Sequence, residues 1–312
     1  MNNALIINKA LLLILTFTLA GCATSNDYPN LNTLSEYEIP IQVDDYKQAE
    51  GSQTLGIAFG GGGVRGFVHL GVIKALEENG IKADIVTGSS AGSIAASLYA
   101  SGLPYSEIEE IVHEVSEFQL ADIVISRKGL VNGQKLAKWI NESVPQENLN
   151  QMPIPIGITA TDLTHKESVL ILDGNPGEAV QTSSSVPAAF VPVENKGNLL
   201  VDGALLTVVP VNYARSMGAD VVIGVDIHCD AEPDVKNSRR HVAINTLRML
   251  TCKLSEPEMQ SADVLIRPDY EPESEISFGD KNEAIEAGYQ ATIENLPQIL
   301  ALISSTNDHY IE

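Results

Sequence analysis

The chain has 312 residues, of which 41 are acidic and 19 basic, giving a formal charge of −22 at neutral pH. That balance excludes nucleic acid as a partner, because phosphate backbones demand clustered Lys and Arg. It also argues against electrostatic docking on anionic lipid head groups, and three cysteines are too few for a disulfide framework.

At the N-terminus, Lys9 precedes the apolar run from Ala10 to Leu19, and Leu19-Ala20-Gly21-Cys22 follows. A run of about ten apolar residues is too short to span a bilayer and reads as a signal peptide. The ending resembles the lipobox of bacterial lipoproteins. That resemblance implies removal of residues 1–21 and lipid on the thiol and amine of Cys22. Several acyl chains make such an anchor stable where one is marginal. With Ala23 rather than Asp after the cysteine, it implies the outer membrane in a Gram-negative host. Residues 22–53, rich in Asn, Asp, Ser and Pro, read as a polar tether between anchor and domain.

From Leu55 onward, short apolar runs alternate with helical patterns, the signature of βαβ units. The expected strands are Leu55–Phe59, Asp84–Thr87, Ile154–Ala160, Ser168–Leu172, Leu199–Val201, Asp220–Asp226 and Val264–Arg267. Helices are expected at Val64–Asn79, Ser90–Ala100, Tyr105–Ser116, Gly133–Val144, Gly177–Ser184, Val211–Met217, Arg239–Leu254 and Asn282–Ser304. Gly80 and Gly102 stand where left-handed C-caps end two of these helices. No repeat, low-complexity tract or linker divides the chain after the tether. The expectation is one α/β domain of about 250 residues, with a mostly parallel central sheet sandwiched by helices and 54–215 as its catalytic core. Residues 216–312 would complete the same domain. Cys229 and Cys252 could pair in an exported domain, with free buried thiols the equal alternative.

Two turns in this pattern carry chemistry. The first strand ends in Gly60-Gly61-Gly62-Gly63-Val64-Arg65-Gly66. Consecutive glycines let the backbone aim several N–H groups into one concavity that suits an anion. Gly61, Gly63 and Gly66 also fit a G-x-G-x-x-G dinucleotide motif, but that motif wants an acidic residue at the far end of the next strand. Asp84 stands at the start of it, and the far end holds Gly88 and Ser90. There, Gly88-Ser89-Ser90-Ala91-Gly92 turns from strand to helix, the G-x-S-x-G elbow that exposes a nucleophilic serine over a helix N-terminus. Loops at the C-terminal ends of adjacent parallel strands meet in one crevice. The glycine loop therefore faces the elbow, as acyl transfer requires of donors that stabilise an oxyanion.

The serine needs a base. His69 follows the glycine loop on a helix and reads as packed. His113, His165 and His309 lie in a helix, a turn and the tail, and His228 ends a strand where a Ser-Asp-His order would put it. Asp202-Gly203-Ala204 follows Leu199-Leu200-Val201, and its Asp reads equally as a base or as an Asx-turn.

The blocks Gly60–Gly66, Gly88–Gly92 and Asp202–Ala204, in that order, resemble the three signature motifs of the patatin-like phospholipase family. The likeness extends through HLGVIKALEENGI after the first, SSSVPAAFVPV before the last and GADVVIGVDI after it. ADVLIRPDY and EAIEAGYQAT near the C-terminus resemble the bacterial branch. The resemblance implies a lipid acyl hydrolase whose nucleophile is Ser90 and whose base is Asp202, with no catalytic histidine, metal or other cofactor. It implies an oxyanion hole from the amides of Gly61, Gly62 and Gly63, to which elbow geometry adds Ala91. Arg65, Gly66, Gly88, Gly92, Gly203 and Ala204 fill the remaining motif positions, with Arg65 read as bracing the loop. Ser183, Ser184 and Ser185 read as a helix end near the pocket without catalytic duty. Relatives usually carry Asn five residues after the Asp, where this chain has Thr207. A membrane lipid is the implied substrate, and nothing in the sequence signals a particular oligomeric state.

Overall fold

The computed structural model describes residues 25–35, 53–230, 239–274 and 276–304. The expected signal peptide, Cys22, most of the expected tether and His309 lie outside the described residues. In chain order the strands are β1 (Asn26–Asp27), β2 (Asn32–Ser35), β3 (Leu55–Phe59), β4 (Ile85–Gly88), β5 (Ile156–Asp162), β6 (Glu167–Asp173), β7 (Val193–Asn195), β8 (Asn198–Asp202), β9 (Val221–Val225) and β10 (Val264–Ile266). The helices are α1 (Val68–Glu78), α2 (Ala91–Ala100), α3 (Tyr105–Glu114), α4 (Glu117–Leu120), α5 (Gln134–Ser143), α6 (Pro176–Ser183), α7 (Val211–Ser216), α8 (Arg239–Met259) and α9 (Lys281–Ser304).

All residues of β3, β4 and β9 are buried, which is why these strands read as unbroken apolar runs. They pair in parallel with one another, and β5 and β10 extend the parallel part on either side. The strands alternate between two cores. Ile57, Phe59, Val86, Ile223 and Val225 face the larger one, packed with α1, α2 and α9. Ala58, Ile85 and Val222 face the smaller one, packed with α7 and Met259. This is the expected α/β sheet flanked by helices.

Three things differ from the sequence reading. Residues 26–27 and 32–35 of the expected tether are strands: β1 joins β7 and β2 joins β6, while Leu31 between them is fully buried. The expected helix from Val64 begins as a 3-10 turn, Gly63–Phe67, because the glycine loop has not yet reached α-helical geometry. The short elements α4 and β7 carry no apolar periodicity and went unforeseen.

The topology at β5 positions the site. Ile158 pairs with Ile171 of β6 on one edge and with Gly88 of β4 on the other. Two residues on, Ala160 pairs with Val169 of β6 and, on the other edge, with Asp202 of β8. So β4 and β8 share one edge of β5, running toward each other along it. Their C-terminal ends meet.

Candidate active site

Ser90 follows that meeting point and has φ 50° and ψ −121°, a strained conformation for a residue with a Cβ. The strain is held from several sides. The Ser90 amide donates to Ser183 Oγ at 2.8 Å, and its carbonyl accepts from Ser93 Oγ at 2.6 Å. The glycines of the elbow are steric necessities. A Cβ on Gly92 would lie 2.1 Å from Phe59 O, and one on Gly88 would lie 2.5 Å from Gly92 O. The loop opposite is equally close: a Cβ on Gly61 would come within 3.1 Å of the Ser90 Cβ, and one on Gly66 within 2.9 Å of the Ala91 Cβ.

Ser90 Oγ donates to Asp202 Oδ2 at 2.7 Å, while Asp202 Oδ1 accepts from the Ala204 amide at 2.8 Å. Asp202 is 3% exposed and Ser90 7%, so the pair is dry. Burial pushes the Asp202 carboxyl up to about 6, against the opposing pull of its bonds from Ser90 and Ala204. The Asp is further fixed by its own backbone, whose amide donates to Ser185 O at 3.0 Å and whose carbonyl accepts from Thr161 Oγ1 at 2.9 Å. Gly203 cannot be replaced without collision, since a Cβ there would meet Thr159 Oγ1 at 2.3 Å.

Among the described residues no histidine is hydrogen-bonded to Ser90 or Asp202. His69 is fully buried, bonds Gly60 O at 2.8 Å, stacks edge-on against Phe59, and is lowered by burial to about 4. His165 bonds Asp162 on the far side of the β5–β6 turn. His113 is exposed, and its carbonyl accepts from Lys281. The His228 amide caps Asp226, and its carbonyl takes Arg248 Nε at 2.8 Å.

The chain that carries this serine, aspartate and glycine loop is similar to known proteins. The patatin-like phospholipase model matches residues 57–215, about half of the chain. The chain belongs to the patatin-like phospholipase family. An uncharacterized NTE family protein of Mycobacterium tuberculosis is 32% identical over 197 residues, covering 59% of this chain and 54% of that protein. Lysophospholipase NTE1 of Kluyveromyces lactis is 29% identical over 196 residues, covering 60% of this chain and 14% of that protein. The chain thus spans about half the length of the mycobacterial relative and a small part of the yeast one. Among solved structures, VipD from Legionella pneumophila overlays with a TM-score of 0.49 at 15% identity, covering 88% of this chain and 71% of that one.

In this member of the patatin-like phospholipase family the glycine loop departs from the expectation at one amide. The Gly61 amide is not free to meet an oxyanion, because it donates to Val208 O at 3.0 Å, and Gly60 likewise donates to Val225 O. The amides of Gly62, Gly63 and Ala91 donate to no acceptor among the described residues. Gly63 takes φ +61°, which turns the loop where a side chain would be strained. Arg65 is buried and pairs with Glu271, the bracing role expected of it. Thr207, where relatives carry Asn, is buried and bonds Ser168 Oγ at 2.9 Å, with its amide closing on Gly203 O. Ser183 Oγ accepts from the Ser90 amide, a contact that a run of three serines does not announce.

An apolar cavity opens beside the elbow, with Gly63, Ala91, Ile94, Leu120, Trp139 and Phe278 in its wall. Gly63 and Ala91 bring it next to Ser90, and α2, α4 and α5 supply Ile94, Leu120 and Trp139.

Proposed function

We propose that the protein is a lipid acyl hydrolase that cleaves carboxylic esters of phospholipid or lysophospholipid through Ser90 and Asp202. The observation that carries the reading is the 2.7 Å bond from Ser90 Oγ to the buried Asp202 Oδ2, beside an apolar cavity. Ser90 Oγ attacks the ester carbonyl while its proton passes to Asp202. Negative charge on the former carbonyl oxygen is met by the amides of Gly62, Gly63 and Ala91, each such donor being worth about 10²–10³ in rate. Collapse breaks the ester C–O bond, and the departing alcohol takes the proton back from Asp202. The acyl group remains on Ser90 with its chain in the cavity. Asp202 then takes a proton from water, which attacks the acyl-enzyme; collapse breaks the acyl–Oγ bond, Asp202 returns the proton to Ser90 Oγ, and the fatty acid leaves. A carboxyl raised to about 6 is a workable base near neutral pH, where an ordinary exposed Asp is a weak one.

The second half of the proposal concerns place. The Leu19–Cys22 sequence supports an exported lipoprotein anchored through Cys22, and the Cys229–Cys252 disulfide is compatible with an oxidising compartment. Among the described residues no helix is long and apolar enough to cross a membrane.

One expression experiment addresses both halves. Wild type should react with a fluorophosphonate probe and release fatty acid from phosphatidylcholine or its lyso form, and should take up alkyne-tagged palmitate. Ser90→Ala should lose the first two, and Cys22→Ser only the third. Probe labelling that survives Ser90→Ala would sink the catalytic reading, and palmitate that survives Cys22→Ser would sink the anchor.

A further inference from the structure

We propose that the loop from Glu117 to Val131, together with the segment before Phe278, is a docking surface for a phospholipid bilayer that seats the cavity mouth on the membrane. It rests on the hydrolase reading above for its purpose, and on separate observations for its location.

The first is exposure. Phe118 is 84% exposed, Ile123 82% and Ile125 96%, with Leu130 and Ile276 also exposed. Burial of one such side chain is worth about 1.5–3 kcal/mol, so a cluster left in water is a surface awaiting a partner.

The second is continuity with the site. Helix α4 points Phe118 outward yet supplies Leu120 to the cavity wall. Ile276 stands two residues before Phe278, another wall residue, whose amide donates to Glu117 Oε1 at 2.9 Å. The Asp122 carboxylate accepts from the Gly133 and Gln134 amides, which start the helix bearing Trp139. Ile123 bridges to Val131, and Val131 bridges to Phe190, just beyond the Ser183–Ser185 turn that holds the dyad. The apolar loop and the cavity are therefore parts of one structure.

The third is charge. Residues 117–131 hold Arg127 and Lys128 against Glu117 and Asp122, with Lys135 and Lys138 following and with Glu271 and Glu273 before Phe278, so the face carries both signs. Lys135 Nζ donates to the carbonyls of Phe118 and Ala121, Lys128 pairs with Glu194, and Lys138 with Glu142. Arg127 is exposed and makes no ion pair among the described residues. Exposed apolar side chains with charges of both signs around them suit the acyl boundary of a zwitterionic bilayer, where Arg127 meets head-group phosphate.

The test uses the full chain carrying Ser90→Ala, so that lipid stays intact, and Trp139→Phe, which removes the only tryptophan. A single tryptophan is then placed by Ile125→Trp or, as a control, by Leu163→Trp. Leu163 is an exposed apolar residue at the turn between β5 and β6. Vesicles of phosphatidylcholine brominated in the acyl chain should quench the first by half or more and the second little. Equal quenching, or none, overturns the docking face. In the catalytically intact chain, Ile123→Asp with Ile125→Asp should lower turnover of phosphatidylcholine vesicles relative to a water-soluble short-chain ester about tenfold. An unchanged ratio counts against the proposal. So does a change of oligomeric state in light scattering, which would make the face a contact between copies. Failure of the wild type on the soluble ester would strike the hydrolase reading instead, because the quenching experiment needs no turnover.

Discussion

Asp202 holds two demands in tension. In the proposed mechanism it must be ionised to accept a proton, yet it lies where ionisation is costly, and burial raises it to about 6. For catalysis, kcat/KM should rise with pH and reach half its plateau near 6, because only the deprotonated form accepts the Ser90 proton. For stability the sign is opposite. A carboxyl raised in the folded state binds its proton more tightly there than in the unfolded chain. Its favourable contribution is complete below the unfolded value and is lost as pH climbs through about 6. Asp202→Asn keeps an oxygen for the Ala204 amide and offers an N–H toward Ser90 Oγ. It should cost about 10²–10⁴ in turnover. It should also stabilise the fold at pH 8 by about 2–3 kcal/mol, with the gain vanishing near pH 4. Urea unfolding at the two pH values checks this, and an Asn variant less stable than wild type at both would contradict it.

At the scale of elements, close approach of backbones does much of the positioning. Helices α1 and α9 cross where a Cβ on Gly71 would sit 1.9 Å from Ile285 O and a Cβ on Gly288 would sit 2.0 Å from Val68 O. Gly71→Ala or Gly288→Ala should each cost about 1–3 kcal/mol by wedging the pair apart. The double variant should cost less than the sum, since the first methyl already opens the gap the second needs. Additive losses in urea midpoints would mean the helices do not separate as a unit. The same scale explains what could be read from sequence. Strands β3, β4 and β9 are buried on both faces, so their residues are apolar or small, with the single hydroxyl, Thr87, donating to Pro210 O. Asn26–Asp27, Asn32–Ser35 and Val193–Asn195 pair at the sheet's antiparallel side with largely polar residues, and no local pattern marks them. The elbow and glycine loop were legible because their glycines are forced by contact. The taking of the Gly61 amide by Val208 was not, because it depends on a loop 147 residues further on. The meeting of Ser90 with Asp202 arises from two strands sharing one edge of β5, a fact of topology that only a family resemblance anticipates.

At the scale of the whole molecule, the disulfide between Cys229 and Cys252 ties the end of β9 to α8. That link matters to the site at both ends. Ile227 lies against Gly62, so closely that a Cβ there would meet it at 2.7 Å. From α8, Ser255 Oγ accepts from the Val208 amide at 3.1 Å and donates to Leu206 O, within the loop that runs on from Asp202. The helix otherwise has a weak hold, with Val242, Leu247, Met249, Leu250 and Leu254 all exposed. Apolar burial therefore secures α8 poorly, and the cross-link supplies what packing does not. With a sequence separation of 23, closing that loop in the unfolded chain accounts for about 3 kcal/mol. Cys252→Ser, or dithiothreitol on the wild type, should lower stability by about that amount. It should also raise hydrogen exchange in α8 and in residues 206–208 before the parallel strands respond, because those strands are buried independently of the helix. The rate on a soluble ester should fall with it, as Val208 loses the partner that fixes it against Gly61. Unchanged exchange at residues 206–208 after reduction would show that the loop is held without α8, and would leave the disulfide as a staple of the helix alone.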